Sequence, residues 1–391
     1  MFDWINENIK GDKVIWTIVL LLSIFSLLAV YSSTTTLAYR LKGGNTEYYL
    51  IKHLFLVLFG LFLMYVFHRW DYRYFSKISV ALLLITIPLL LFTLILGTSL
   101  NQASRWLTLP ILNISFQTSD LAKLSLLMYL SRNLSRIQKE EQSIVNTFLL
   151  KQALPILVVC GLILPADLST AIILGITSFI LLFIGRVNMR YILGAAGFVI
   201  LMGFISALVI KNHKSLGLEN VGRVSTWNAR MDSYLNLEDN VSSNYQIKQA
   251  KIAIATGGLV FGKGPGKSNQ RDFLPHPYSD FIYAIIIEEY GLLFGGALVL
   301  FLYLLFLFRT LKILFGSPKA FGALLAVGLG FSLCMQAIIH MAVNVSLLPV
   351  TGLTLPFVSM GGTSIIFTSI SVGIILSVSK NSKEEKISVN V

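Results

Sequence analysis

Apolar runs of about 17 to 25 residues, long enough to cross ~30 Å of hydrocarbon as helices, recur along the whole chain. No other feature constrains the fold as much. Inside a bilayer every backbone N–H and C=O must be bonded within the protein, which leaves helices or a closed barrel. The alternating pattern of an outer-membrane barrel is absent. Only 13% of the 391 residues are charged, against about 25% in a soluble domain. The sequence predicts an all-α integral membrane protein.

Ten transmembrane helices are expected, near residues 13–33, 50–68, 78–98, 119–135, 149–164, 168–185, 191–210, 280–308, 320–344 and 362–379. The first apolar run is too long for the core of a cleaved signal peptide, so it reads as a retained span. An even count puts both termini on one side. With both termini cytoplasmic, 17 Lys and Arg fall on inside segments and five on short outside ones, the orientation the positive-inside rule favours. The remaining nine lie in 211–279, an extracytoplasmic loop between helices 7 and 8 that is too long to weigh in the rule. The net charge of +12 therefore needs no nucleic acid to explain it.

The polytopic unit is expected over 1–379, with 380–391 a disordered cytoplasmic tail. Within the long loop, "YQIKQAKIAIATGGLVFG" has helical apolar spacing and is expected to fold back on the membrane surface. Cys160 and Cys334 both fall in apolar spans, without disulfide or metal-type spacing.

Several stretches invite a chemical reading. "GGLVFGKGPGKSNQ" is not a P-loop, which needs four residues between its first Gly and Gly-Lys-Ser/Thr. Gly262 to Gly266 leaves three, and Phe261 stands where the Gly belongs. What remains is either a plain turn or a glycine-rich loop whose N–H groups, with Lys263, Lys267 and Arg271, face an anion such as a pyrophosphate. Asp120 and Lys123 are three apart on the fourth span, spaced for an ion pair or for lining a polar cavity. Asp167, in "LPADLST", is placed to cap the sixth span. His340 and Asn344, one turn apart, read as a hydrogen-bonded helix contact, since no third metal ligand is near in sequence. "LPVTGLTLPFVSMGGTS" is broken backbone at membrane depth, which must be buried by protein or line a cavity.

"LPHPYSDFIYAIIIEEYG" carries three carboxylates. Pro275 and Pro277 disfavour helix before residue 278. Ser279 then reads as the N-cap and Asp280 as a first-turn carboxylate at the outer surface, its ionised form favoured by the helix dipole. Glu288 and Glu289 point about 80° and 180° away from it on a straight helix. They are expected to be packing or cavity groups, with Asp280 the reactive one.

In this order the motifs "RWLTLPILNISFQTSDLAK", "ADLST", "RVSTW", "NYQIKQAKIAIATGGLVFGKGPGKS", "LPHPYSDFIYAIIIEEYG" and "LPVTGLTLPFVSMGGTS" resemble the SEDS family, the FtsW/RodA peptidoglycan polymerases, over nearly the whole chain. Three positions depart from the family pattern. Asp120 stands where Glu is usual, "PADLST" stands for Pro-Asp-Leu-Gly-Thr, and His276 often has Glu in its place. The resemblance implies a glycosyltransferase that polymerises lipid II at the outer face of the bacterial cytoplasmic membrane. Asp280 matches the family's catalytic aspartate and would take the proton from the acceptor hydroxyl. The implied substrate-binding set is Arg223, Arg230, Lys248, Lys263, Lys267, Arg105, Asp120, Lys123 and Ser364, with the loop cations on the leaving pyrophosphate. No tightly bound cofactor is implied, though a divalent cation, magnesium or manganese, is compatible with that chemistry. The implied partners are lipid II, a class B penicillin-binding protein, other divisome proteins and membrane lipid. The 245–291 segment leans to the division type at the septum. An elongation-type polymerase and a lipid II flippase remain as alternatives.

Overall fold

The structure, a computed structural model, describes residues 10–96, 98–100, 103–109, 114–137, 148–211 and 241–389. Helices dominate, in the order α1 (Lys13–Ser33), α2 (Thr35–Lys42), α3 (Thr46–Arg69), α4 (Tyr72–Leu96), α5 (Thr118–Ile137), α6 (Leu154–Ile163, entered by a π turn), α7 (Leu168–Ile184), α8 (Met189–Lys211), α9 (Val241–Thr256), α10 (Ile282–Tyr290), α11 (Leu298–Gly316), α12 (Ala320–Asn344) and α13 (Thr363–Val389). Among the described residues six helical stretches are long and apolar enough to cross a membrane, at 13–33, 46–69, 72–95, 292–316, 320–344 and 363–382. Shorter apolar helices cover 149–163, 168–184 and 189–199. The fourth expected span is helical too, but α5 carries Asp120, Lys123, Arg132 and Arg136.

The centre of the bundle is α12 and α13, whose apolar windows are 72% and 78% buried, against 22% for α3 and 28% for α4. α12 packs on α5, α7, α11 and α13, and α13 lies along α3. Asp167 caps α7 as its position suggested, accepting from Thr170 N at 3.2 Å. At the start of α1, the N-cap Asp12 accepts from Val14 N at 2.9 Å and holds Arg309 of α11 at 2.5 Å. That partly buried pair joins the start of α1 to the far half of the bundle.

Between α12 and α13 the chain is irregular, and its carbonyls are bonded by side chains of other helices. Leu353 O meets His340 Nδ1 at 2.7 Å. Thr354 O accepts from Gln336 Nε2 at 2.9 Å, Pro356 O from Tyr303 Oη, and Val358 O from Ser26 Oγ at 2.8 Å. Ser26 is in turn 2.6 Å from His53 Nε2. Of the two expectations for this break, burial by protein or lining a cavity, burial holds around residues 353–359, and the rule that buried backbone groups find partners explains its polar neighbours.

Three sequence expectations change, and a fourth, for the long loop, holds. The all-α reading missed a small antiparallel sheet ahead of α5, with β1 (Thr98–Leu100), β2 (Ala103–Leu109) and β3 (Ile114–Gln117) in that order. Trp106 pairs with Gln117 and Leu107 with Phe116, so aromatic and apolar residues suited to a pleated surface outweigh the helical context. The eighth expected span is not one straight helix. It begins at Ile282, breaks at Gly291 (φ 87°), passes through a π turn at Leu292–Ala297 and resumes as α11. The long loop contains α9, as its spacing suggested, followed by a 3-10 turn at Gln270–Asp272. The tail expected to be disordered continues α13 to Val389, since no Pro and no Gly after Gly373 interrupts it.

The glycine-rich segment after α9 packs backbone to backbone on the end of α10. Lys263 N and Gly264 N donate to Glu288 O and Glu289 O, both at 2.9 Å, and so satisfy carbonyls that a helix end leaves open. A Cβ on Gly257 would lie 2.3 Å from Ile287 O, and one on Gly262 2.3 Å from the Glu289 carbonyl carbon. Neither neighbour is a side chain that can swing away. Gly257→Ala is expected to lower the stability of the purified protein by ~1–3 kcal/mol through overpacking. Gly175→Ala in α7, where a Cβ meets nothing within 4 Å, should be neutral or stabilising by under ~1 kcal/mol. Thermal melts of the two variants in detergent check the contrast.

Candidate active site

Asp280 lies in a turn over 277–281, two residues ahead of α10, and is half-buried. This corrects the expected first-turn position. Ser279 is not the cap either: the N-cap residue is Phe281, with no side-chain cap bond. The turn is closed by His276, whose carbonyl accepts from Ser279 N and Asp280 N, both at 3.1 Å. His276 has φ 53°, a left-handed conformation costly for a residue other than glycine. Ser279 Oγ donates to Asp280 Oδ1 at 2.7 Å. Tyr278, whose hydroxyl is 3.1 Å from His276 Nδ1, has its phenol pushed above the usual value by burial and then by the Asp280 charge. It therefore stays a neutral phenol at physiological pH.

The turn is tied to the 345–362 connection and to α12. Met360 N donates to Tyr278 O at 2.9 Å, and Ser359 Oγ to Ser279 O at 2.7 Å. Asn344 Nδ2 donates to Asp280 O at 3.1 Å and to His340 O at 2.9 Å. His340 and Asn344 thus make the helix contact their spacing suggested, and Asn344 reaches beyond it.

Glu288 and Glu289 form a second centre, separate from Asp280 as expected, though Asp280 lies off the helix on which their angles were reckoned. Glu288 is 0% exposed and accepts from Lys263 Nζ at 2.6 Å, Ser268 Oγ at 2.5 Å, Asn269 N at 3.1 Å and Gln270 N at 3.3 Å. Glu289 accepts from Ser32 Oγ of α1 and from Ser268 N at 3.4 Å. The glycine-rich loop does bring N–H groups and a cation to an anion, but the anion is the chain's own Glu288. The Lys263 ammonium is thus paired with Glu288. Lys248 and Lys267 are exposed.

A third polar chain joins Asp120, Lys123 and Ser364. Lys123 Nζ is 2.8 Å from Asp120 Oδ1 and donates to Gln336 Oε1 at 2.9 Å. Gln336 reaches Thr354, whose Oγ1 is 3.3 Å from Ser364 Oγ. The ion pair also lines a small cavity between α5, α12 and α13, with Ser332, Thr368 and Ser371 among its walls. Both open readings of Asp120 and Lys123 therefore hold together. Arg105 lies on β2. Arg223 and Arg230 lie outside the described residues.

The sequence model of the FtsW/RodA/SpoVE cell cycle proteins matches residues 12–384. The chain belongs to this family. It is 32% identical over 383 residues to the probable peptidoglycan glycosyltransferase FtsW of Geobacter metallireducens, covering 97% of each chain. It is 32% identical to the stage V sporulation protein E of Bacillus subtilis, covering 97% of this chain and 99% of that one. Among solved structures it resembles a chain described under structural coordination of polymerization and crosslinking by a peptidoglycan synthase complex (TM-score 0.74, 24% identity, 95% and 98% covered). It also resembles the rod shape determining protein RodA of Thermus thermophilus (TM-score 0.66, 23% identity, 95% and 97% covered). These two likenesses fix the family fold.

Among the described residues no three His, Cys, Asp or Glu side chains converge. Sequence reasoning missed Ser268, Gln336, Asn344's contact with the Asp280 turn, and Ser359. Only Ser268 carried a signal, as a small polar residue closing a glycine-rich run. The Lys263–Glu288 bond should couple loop to helix: in a double-mutant cycle of Lys263→Met and Glu288→Gln, the interaction energy is expected near ~1.5–3 kcal/mol, typical of a charge-assisted bond. Thermal stability of the four proteins measures it, and additive effects would remove the clamp.

Proposed function

We propose that this chain is a peptidoglycan glycosyltransferase that polymerises lipid II at the outer face of the cytoplasmic membrane. In this reading it spans the membrane ten times, with both termini cytoplasmic and the 211–279 loop outside. The observation that carries the reading is the half-buried Asp280, outside the apolar spans, on a turn held by bonds to other parts of the chain. Family membership and the activity for which the FtsW relatives are named support it.

Asp280 serves as general base. A sugar hydroxyl is a poor nucleophile, and a carboxylate within about 3 Å takes its proton as it attacks the anomeric carbon. The acceptor is the 4-hydroxyl of an N-acetylglucosamine, and the lipid pyrophosphate leaves. Arg223, Arg230, Lys248 and Lys267 supply positive charge beside that leaving group. Arg105 and the Asp120–Lys123–Ser364 chain contact the substrate from the bundle side. A divalent cation, where one takes part, comes with the pyrophosphate. The crosslinking partner is a class B penicillin-binding protein, in line with the neighbouring synthase complex. The relatives named FtsW favour a role in septal synthesis with the divisome. The RodA likeness keeps elongation as the second reading.

Asp280→Asn is expected to reach wild-type abundance in the membrane and to bind lipid II. It should polymerise at least about 100-fold more slowly, because it keeps the size of the side chain and loses its basicity. Labelled lipid II and purified protein in detergent give the measurement. Detergent permits no transport, so absence of glycan from the wild-type protein would favour the flippase reading. Wild-type rates from Asp280→Asn would remove the base.

A further inference from the structure

Three consecutive main-chain carbonyls hold the Asp280 turn, and none of their donors belongs to it. Tyr278 O accepts from Met360 N, Ser279 O from Ser359 Oγ and Asp280 O from Asn344 Nδ2. The first two donors sit on the connection between α12 and α13, and the third is the last residue of α12. All are more than 60 residues away along the chain from Tyr278, Ser279 and Asp280.

α10 has no cap of its own, and Asn344 supplies one. Its Oδ1 accepts from Ala284 N at 3.1 Å. The orientation of the amide follows from its neighbours. Two of them are carbonyls, which only the NH2 end can serve, and the third is an N–H, which only the oxygen can accept. One buried side chain thus grips the start of α10 from both sides, bonding the carbonyl of the residue that carries the base and an amide of the helix that follows. Ser359 is used as completely: it accepts from Leu355 N at 2.8 Å and donates to Ser279 O. Asn344 is 0% and Ser359 1% exposed, so water offers neither a substitute partner.

We infer that Asn344 and Ser359 are positioning residues for the Asp280 carboxylate: they fix the main chain on which the base stands and touch no substrate themselves. This rests on the reading of Asp280 as the base. The need is plain from the turn itself. It is a loop ahead of a helix with no cap from its own N-cap residue, entered through a left-handed His276, and such a backbone stays put only where its surroundings over-determine it. A base displaced by about 1 Å from the proton it takes loses on the order of 100-fold in rate. Two side chains that only satisfied buried backbone groups would behave differently on removal. Stability would fall, but the folded molecules would turn over normally.

The test uses the purified full-length protein and measures lipid II affinity and single-turnover rate at saturating lipid II, normalised to folded, monodisperse protein. The variants are Ser359→Ala, Ser359→Thr and Asn344→Leu, each alone and combined with Asp280→Asn. Ser359→Ala and Asn344→Leu should bind lipid II within about twofold of wild type yet turn over about 10- to 100-fold more slowly, since orientation matters to the transition state and not to binding. Ser359→Thr, which keeps the hydroxyl, should recover most of the rate. Neither slow variant should slow Asp280→Asn further. Ser359→Ala removes one oxygen and little packing, so it carries the test even where Asn344→Leu does not accumulate. Wild-type turnover by Ser359→Ala beside an inactive Asp280→Asn overturns the positioning role and leaves the base standing. An active Asp280→Asn overturns the base, and the inference with it. A full further loss in the Asp280→Asn background shows action by another route and also overturns the inference.

Discussion

A break in the helix bundle at membrane depth must have its carbonyls bonded by protein, and around residues 353–358 that requirement orders much of the interior. His340, Gln336, Tyr303 and Ser26 come from three different helices, and each donates to one of those carbonyls. Each donor costs a buried polar side chain that is tolerable only while its partner is in place. The segment and its surroundings therefore specify each other. Gln336 also accepts from Lys123, so the Asp120–Lys123 pair belongs to the same arrangement and is not an isolated ion pair.

The segment passes that rigidity outward. Ser359 and Met360, just past the bonded carbonyls, hold the Asp280 turn, and Asn344 holds it from α12. On the other side of α10, the carboxylate of Glu288 gathers Lys263, Ser268, Asn269 and Gln270 and draws the glycine-rich loop onto the helix end. α10 is only nine residues long and is broken from α11 at Gly291. Its two ends are fixed by different means: main-chain carbonyls bonded by buried side chains at the start, and a buried anion at the finish. The proposed base stands at the start.

Much of this was legible in the sequence where one residue has one dominant local option. Asp167 caps the helix it precedes. Asp120 and Lys123 pair at three residues' spacing. Glu288 and Glu289 fall in another site as expected, although the angular argument for it placed Asp280 on a helix that begins only at Ile282. What was not legible depends on partners far along the chain. Nothing near Ser279 shows that Asn344 does the capping, so the local rule put the helix start too early. Lys263 in a glycine-rich loop reads as a ligand for an external anion, because the sequence does not show a Glu 25 residues later buried against it. The strands at 98–117 were hidden by the membrane reading of everything around them.

With Asp280 as the base, its turn is fixed before substrate arrives. Amide hydrogen exchange of the full-length protein in lipid nanodiscs, with and without lipid II, addresses it directly through two amides: Ala284 N, bonded to Asn344, and Met360 N, bonded to Tyr278. Preorganisation predicts that both are protected without lipid II and change little on its addition. Rapid exchange of both amides without lipid II, slowing only when it binds, would mean that substrate builds the turn and would contradict the account.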